Sequence, residues 1–234
     1  MFRAWIQGLA QAVPARCEVC RSWPAQPVCG ACALRFAAPV PRCGRCALPV
    51  AAGVAACGAC LGAPAALDGC VAALPYAYPW DGLVARFKFR GEPGWAAAFA
   101  AMLREAPGAR ALLRAADRLL PMPLAPARLA ERGYNQALEL ARRLAPPGRL
   151  DARSLLRVRE TPPQATLDRE ARRRNMARAF AVEPGRAASL AGRHLLLVDD
   201  VMTSGASLAA AAAALRQAGA GRVSALVLAR TDDL

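Results

Sequence analysis

The chain predicts an α/β protein: a parallel sheet with helical crossovers, preceded by a cysteine-rich module that folds around metal. Three observations carry this. From residue 70 onward, apolar runs of strand length alternate with helical stretches. One of these runs, HLLLVDD at 194–200, ends in an acidic pair and leads into a small polar loop and an alanine-rich helical stretch. Four CxxC pairs fall within residues 17–60. A chain of 234 residues holds one sizeable core plus a small appendage. The expected division is a cysteine-rich module at 1–66, with a short N-terminal helix, and an α/β domain at 67–234.

The cysteines are Cys17-x-x-Cys20, Cys29-x-x-Cys32, Cys43-x-x-Cys46 and Cys57-x-x-Cys60. Each pair makes a tight knuckle with both thiolates facing one metal, and two knuckles close a tetrahedral Cys₄ site of the structural zinc kind. The expectation is two structural Zn²⁺ ions. Sequential pairing (first with second, third with fourth) is the simplest assignment; a cross-braced one pairs first with third and second with fourth. A disulfide framework requires an oxidising compartment. Segment 1–13 is interrupted by Gln7 and Gln11, which makes it a poor secretory signal and fits a short amphipathic helix. The expected location is the cytoplasm. The module has few large apolar residues, so metal has to supply its folding energy, about 10–16 kcal/mol per structural zinc. Cys70 stands outside the pairs and reads as a buried thiol, with no sign that His194, the single histidine, serves it as a base.

Residues 70–78 read as the first strand, and 80–106 as helix broken by Gly91-Glu92-Pro93-Gly94. Lys88 and Arg90 sit before that break. They read equally as cations favouring a helix dipole or as ligand contacts. DRLLPMPL at 117–124 is an apolar strand ending at Pro121-Met122-Pro123. A helix then opens in 128–136 and runs to about Leu144, where Pro146-Pro147 stops it. SLLRV at 154–158 and RVSALVLAR at 222–230 read as further strands.

The stretch at 194–208 reads as strand, acidic turn, anion cradle and helix. Gly205 lets backbone approach a phosphate closely, and N–H groups of the next helical turn point at it. Asp199 and Asp200 repel that phosphate. They suit the hydroxyls of a sugar, or a sugar-bound Mg²⁺, beside it. No GxxxxGK[ST] is present, which argues against a P-loop NTPase.

LLLVDDVMTSGAS resembles the phosphoribosyl-pyrophosphate (PRPP) motif of type I phosphoribosyltransferases. The resemblance implies that Asp199 and Asp200 hold the ribose 2′ and 3′ hydroxyls. It also implies that Thr203, Ser204, Gly205, Ala206 and Ser207 hold the 5′-phosphate. The ordered series PMPL, RLAERGYNQALELA, RETPPQ…LDREARRRNMARAF and LLLVDDVMTSGASL, behind a cysteine-rich start, is similar to the ComF family of competence and DNA-utilisation proteins. That resemblance covers nearly the full chain. It implies a double zinc ribbon joined to a type I phosphoribosyltransferase-like domain, with a role in DNA uptake or processing. By the same resemblance Met122, Pro123 and Leu124 form the pyrophosphate loop. Thr161 and Gln164 lie in the mobile loop over PRPP, with Arg172, Arg173, Arg174 and Asn175 where that loop returns.

The net charge is +14, carried almost wholly by arginine; Lys88 is the one lysine. Such a balance favours phosphate-bearing partners, although GC-rich coding also enriches arginine. Residues 153–178 form the densest basic stretch, eight arginines against Glu160, Asp168 and Glu170. No apolar run reaches the roughly 20 residues of a membrane helix, so no membrane insertion is expected. The leading expectation is a DNA-handling accessory protein that binds PRPP or a phosphoribosyl nucleotide, with single-stranded DNA and DNA-processing or competence proteins as partners. Trp23, Phe36, Tyr134 and, after them, Trp80 are the aromatics for base stacking, although residues of this kind more often serve packing. The alternative is an active Mg²⁺-dependent phosphoribosyltransferase on an unidentified acceptor. That reaction rests on positioning and electrostatics, so it needs no nucleophile triad. A protein adaptor with a vestigial pocket is the third reading, and the intact acidic pair argues against it.

Overall fold

A computed structural model describes residues 16–23, 26–62, 65–158 and 179–232. The chain forms two compact units, 1–38 and 39–234. The first holds Cys17, Cys20, Cys29 and Cys32 and helix α1 (Gly30–Phe36). The second holds the other cysteine group, with the short helix α2 (Gly58–Leu61), and the whole α/β sheet.

The main sheet has four parallel strands: β1 (Gly69–Pro75), β2 (Arg118–Pro121), β5 (His194–Met202) and β6 (Arg222–Arg230), in the order β1-β6-β5-β2. The two central strands are the most apolar. Leu195 to Val198 and Val223 to Ala229 are buried on both faces, as a covered parallel sheet requires. The outer edge of β2 is not open. Leu119 N–H donates to Arg149 O and Asp151 N–H donates back to Leu119 O, so residues 149–151 cap it.

Between β1 and β2 run α3 (Trp80–Phe89), α4 (Trp95–Glu105) and α5 (Ala109–Ala115). The glycine-proline break at 91–94 separates α3 from α4 where the sequence places it. The single helix expected from Arg128 to Leu144 is two: α6 (Pro126–Arg132) and α7 (Gln136–Leu144). Gly133 takes a left-handed φ of 75°, and the Asn135 side chain accepts from Leu138 N–H, starting the chain afresh as an N-cap. Helices α4 and α7 pack on each other, with α7 also against β5 and β2.

The expected strand at 154–158 is β3 (Leu155–Arg157), which stays out of the main sheet. It pairs antiparallel with β4 (Phe180–Val182) as a separate ribbon. After it come α8 (Ala187–Leu190), β5, and the alanine-rich helix α9 (Ala206–Gln217), which packs on β6 and β4. The methyl side chains of Ala210, Ala211 and Ala212 are buried there.

The second cysteine group is stitched into the sheet. Cys70 N–H, in β1, donates to Gly44 O at 2.8 Å, and Arg230 Nε, at the end of β6, donates to Cys46 O at 3.1 Å. Ala47 is fully buried in the same core cluster as Cys70, Met202 and Leu197. Trp80, offered above for base stacking, is wholly buried and belongs to the core. The anchoring has a measurable consequence. Cys43→Ser lowers the main thermal transition of the protein, by on the order of 2 kcal/mol or more, because it loosens a segment that supplies core contacts. Cys17→Ser, in the other unit, leaves that transition within a few degrees of its original midpoint. Differential scanning calorimetry of both variants reads the difference; equal losses would contradict the assignment.

Candidate functional site

The carboxyl edge of the sheet gathers the sequence-predicted ligand residues of 122–124 and 199–207. Strand β5 is longer than its apolar run. It continues through Asp199 and Asp200 to Met202, with Asp199 paired in register to Val227 of β6. The acidic pair therefore belongs to the strand and not to a turn, which fixes both carboxylates on a hydrogen-bonded ladder. The loop 203–205 follows, and Gly205, at φ 75°, caps α9. A Cβ at Gly205 would lie 2.5 Å from Met202 Cε. The glycine thus meets two demands, a left-handed backbone and close contact with the buried methionine. Thr203 and Ser204 are exposed, while Gly205, Ala206 and Ser207 are half-buried.

On the neighbouring strand, β2 ends opposite Val198, and Met122 N–H donates to Val198 O at 2.9 Å. The turn of Met122, Pro123 and Leu124 therefore starts beside Asp199. Met122 is buried, and its carbonyl accepts from Asn135 Nδ2 at 3.0 Å. With Met122 N–H committed and Pro123 lacking one, Leu124 supplies the free amide of this turn among the described residues. Thr161, Gln164, Arg172, Arg173, Arg174 and Asn175 lie outside the described residues.

Electrostatics dominate the acidic pair. Asp200 is buried, and its Oδ1 receives Val201 N–H at 2.6 Å and the Lys88 ammonium at 2.9 Å. Asp199 Oδ1 accepts Asp200 N–H at 2.8 Å. Burial, then the neighbouring Asp200 carboxylate, push the Asp199 carboxyl up to about 7, against the pull of Lys88. Lys88 is the contact that the sequence left undecided. Its place before a glycine break marked it, but the partner lies more than 100 residues away in the chain.

Arg230, in contrast, is a residue the sequence did not single out. It is 1% exposed, and besides Cys46 O its guanidinium donates to Met202 O at 3.3 Å and to Thr231 Oγ1 at 3.1 Å. Met202 Sδ also receives the Cys70 thiol at 3.8 Å. Burial pushes that thiol up to about 12, so Cys70 is an inert core group, as expected. His194 sits at the opposite end of β5. There Nδ1 lies 3.2 Å from Ala115 O and Nε2 lies 3.0 Å from Ser224 Oγ.

The thiols group sequentially: Cys17, Cys20, Cys29 and Cys32 in one cluster, Cys43, Cys46, Cys57 and Cys60 in the other, with the sulfurs of each within 4.8 Å of one another. Cys20 and Cys29 sulfurs stand 3.7 Å apart, and those of Cys46 and Cys57 3.6 Å. Four sulfurs at about 2.3 Å from one tetrahedral metal stand about 3.8 Å apart. A disulfide would bring them to about 2.05 Å. Burial raises the Cys17 and Cys43 thiols, but backbone N–H donors outweigh it and hold each at about 6. Burial and neighbouring thiols drive Cys32 up to about 12. Such a set carries four thiolates together only around a cation, so either cluster can bind a metal ion.

The raised Asp199 carboxyl makes the free protein sensitive to pH. Its folded value lies near 7 against about 3.9 unfolded. The native state therefore holds the proton more tightly, and this contribution to stability, full below pH 4, is lost as pH rises through 7. Asp199→Asn cannot ionise. Its melting temperature is expected to exceed that of the parent by a few degrees at pH 8, with the gain disappearing near pH 4. A gain independent of pH would show that Asp199 is not strained by ionisation.

Residues 129–233 match the phosphoribosyl transferase domain family. Among curated proteins, the chain is 33% identical over 176 residues to the DNA utilization protein YhgH of Escherichia coli O6:H1 (strain CFT073), covering 73% of this chain and 76% of that one. It is 34% identical to YhgH of Salmonella typhimurium LT2 and 32% to that of E. coli K12, with the same coverage. Among solved structures it is similar to the allosteric regulatory enzyme of purine biosynthesis at 16% identity and a TM-score of 0.36, over 58% of this chain and 25% of that one. Similarity to TT1426 of Thermus thermophilus is at 21% identity and a TM-score of 0.32, over 63% of this chain and 86% of that one. With its parallel sheet, its phosphoribosyl transferase domain and its two four-cysteine groups, the chain belongs to the ComF-like family of the DNA utilization proteins YhgH.

Proposed function

We propose that this protein is a DNA-handling accessory protein that binds Mg²⁺-PRPP, or a 5′-phosphoribosyl nucleotide, at the carboxyl edge of its sheet. The observation that carries the reading is the placement of Asp199 and Asp200 one short loop before the Gly205 cap of α9. Ribose hydroxyls meet the carboxylates, and the 5′-phosphate meets the loop 203–207 and the first amides of α9. Asp199 and Asp200 would also hold a ribose-bound Mg²⁺, whose charge offsets that of the diphosphate. The Met122-Pro123-Leu124 turn beside them takes the diphosphate through Leu124 N–H. Thr161, Gln164, Arg172, Arg173, Arg174 and Asn175 cover the pocket in this reading. The two cysteine clusters each hold one structural Zn²⁺. The intact acidic pair keeps the second reading alive, a phosphoribosyltransferase on an unidentified acceptor, because ribose recognition is what such chemistry needs from the protein.

Calorimetric titration tests the pocket. The Asp199→Asn/Asp200→Asn protein is expected to bind Mg²⁺-PRPP at least about tenfold more weakly than the parent, two charge-assisted contacts being lost. Unchanged affinity would refute the ribose assignment. Metal analysis of the same preparation is expected to return two zinc ions per chain. Release of pyrophosphate from PRPP in the presence of an acceptor would favour the transferase reading.

Single-stranded DNA is the proposed macromolecular partner, held by the arginines of 153–178 with the zinc-bearing segment. Phosphate contacts make log affinity fall with log salt by about 0.7 per phosphate neutralised. Replacing Arg172, Arg173 and Arg174 with alanine is expected to flatten the slope measured on a 30-mer by up to about 2. No binding by zinc-replete protein at low salt would reject DNA as a direct ligand.

A further inference from the structure

Lys88 is the one lysine among 31 basic residues, and it stands at the acidic pair. Everywhere else the chain uses arginine. An ammonium differs from a guanidinium in being a compact point charge with three donors on a flexible stem. Its side chain is 16% exposed and that of Asp200 10%. A desolvated ion pair adds little net stability, because the loss of hydration offsets most of the attraction. Its presence beside a ligand pocket therefore calls for a use other than folding.

The surroundings hold Lys88 in place. It lies in the last turn of α3, where two backbone carbonyls are taken by side chains from the start of α7: Tyr134 Oη donates to Phe87 O, and Gln136 Nε2 to Lys88 O at 3.3 Å. Gln136 is 1% exposed. Between them, Asn135 Nδ2 ties down Met122 O. Three consecutive polar residues thus fix both the end of α3 that carries Lys88 and the turn that starts beside Asp199. The Phe87 ring packs against Phe99 and Tyr134, which stiffens the same helix end.

We propose that Lys88 is a ligand-contacting residue: its ammonium neutralises Asp200 in the free protein and binds the diphosphate group of a 5-phosphoribosyl diphosphate ligand. This rests on the PRPP reading of the pocket. One N–H of the ammonium is spent on Asp200 Oδ1, and two remain for phosphoryl oxygens. The diphosphate is chosen over the 5′-phosphate because the 5′-phosphate has its own cradle in 203–207. Lys88 instead shares its anchoring segment with the Met122-Pro123-Leu124 turn.

The test compares PRPP with ribose 5-phosphate, which lacks the diphosphate, in calorimetric titrations of the full, zinc-replete chain with Mg²⁺. Lys88→Met is expected to weaken PRPP binding by about tenfold or more while changing ribose 5-phosphate binding by less than about threefold. Lys88→Gln, which keeps a donor for Asp200 without the charge, is expected to show the same selective loss and carries the test should the methionine variant fold poorly. Tyr134→Phe frees the helix end and is expected to give a smaller loss, again confined to PRPP. Equal weakening of both ligands, or none, would overturn the role of Lys88. If the parent bound ribose 5-phosphate but PRPP no more tightly, the diphosphate contact would be wrong and the ribose pocket would stand. If the parent bound neither, the pocket reading itself would fall, and Lys88 with it.

Discussion

Two neighbouring carboxylates on a buried strand are the constraint around which the rest is arranged. The acidic end of β5 runs past the end of β2 but stays paired to β6, and Asp200 is buried, so Asp199 and Asp200 repel each other where water screens them poorly. Moving them to an exposed loop would remove the repulsion, but also the precision with which a sheet holds side chains. The fold keeps them on the strand and compensates locally. Lys88 supplies a cation, Val201 and Asp200 supply backbone donors, and the repulsion that remains raises the Asp199 carboxyl. In the proposed reading, a ribose hydroxyl or a divalent ion would relieve the same repulsion.

That arrangement explains why the residues of RGYNQ occur where they do. Asn135 has two tasks, capping α7 through Leu138 N–H and holding Met122 O. Tyr134 and Gln136, on either side, reach the carbonyls of α3. One short segment between two helices therefore sets the distance between the cation that answers the acidic pair and the turn that borders it. A single continuous helix through 128–144 could not do this, because consecutive helical side chains fan out by about 100° each and cannot converge on neighbouring elements.

The sequence was most readable where local chemistry and periodicity agree. The apolar core of β5, the full span of β6, the break between α3 and α4, and both cysteine clusters follow from runs, glycines and CxxC spacing. It was less readable where tertiary contacts decide. Nothing local to Gly133 distinguishes a helix interruption from a tolerated glycine; the competing tie from Asn135 to Met122 does. SLLRV has strand character, but only its distant partner at 180–182 determines that it forms an antiparallel ribbon instead of joining the main sheet. Lys88 and Arg230 act through partners 112 and 184 residues away, Asp200 and Cys46, and no periodicity encodes such pairings.

Arg230 gives the second cysteine group a place in the site's architecture. Its guanidinium binds Cys46 O on one side and Met202 O on the other, and Met202 is the residue against which Gly205 is packed. Cys70 closes the circuit, with its N–H on Gly44 O and its thiol on Met202 Sδ. A buried guanidinium left without these carbonyls would hold unsatisfied donors, costing on the order of 1–3 kcal/mol or more. The knuckle of Cys43 and Cys46 therefore cannot drift while Arg230 stays buried, and Met202 cannot shift without disturbing both the knuckle and the start of the 203–207 loop. Ordering of the second cysteine group and shaping of the 203–207 loop rest on one shared set of hydrogen bonds. A metal ion that rigidified this cluster would therefore also support the loop, through Arg230 and Met202.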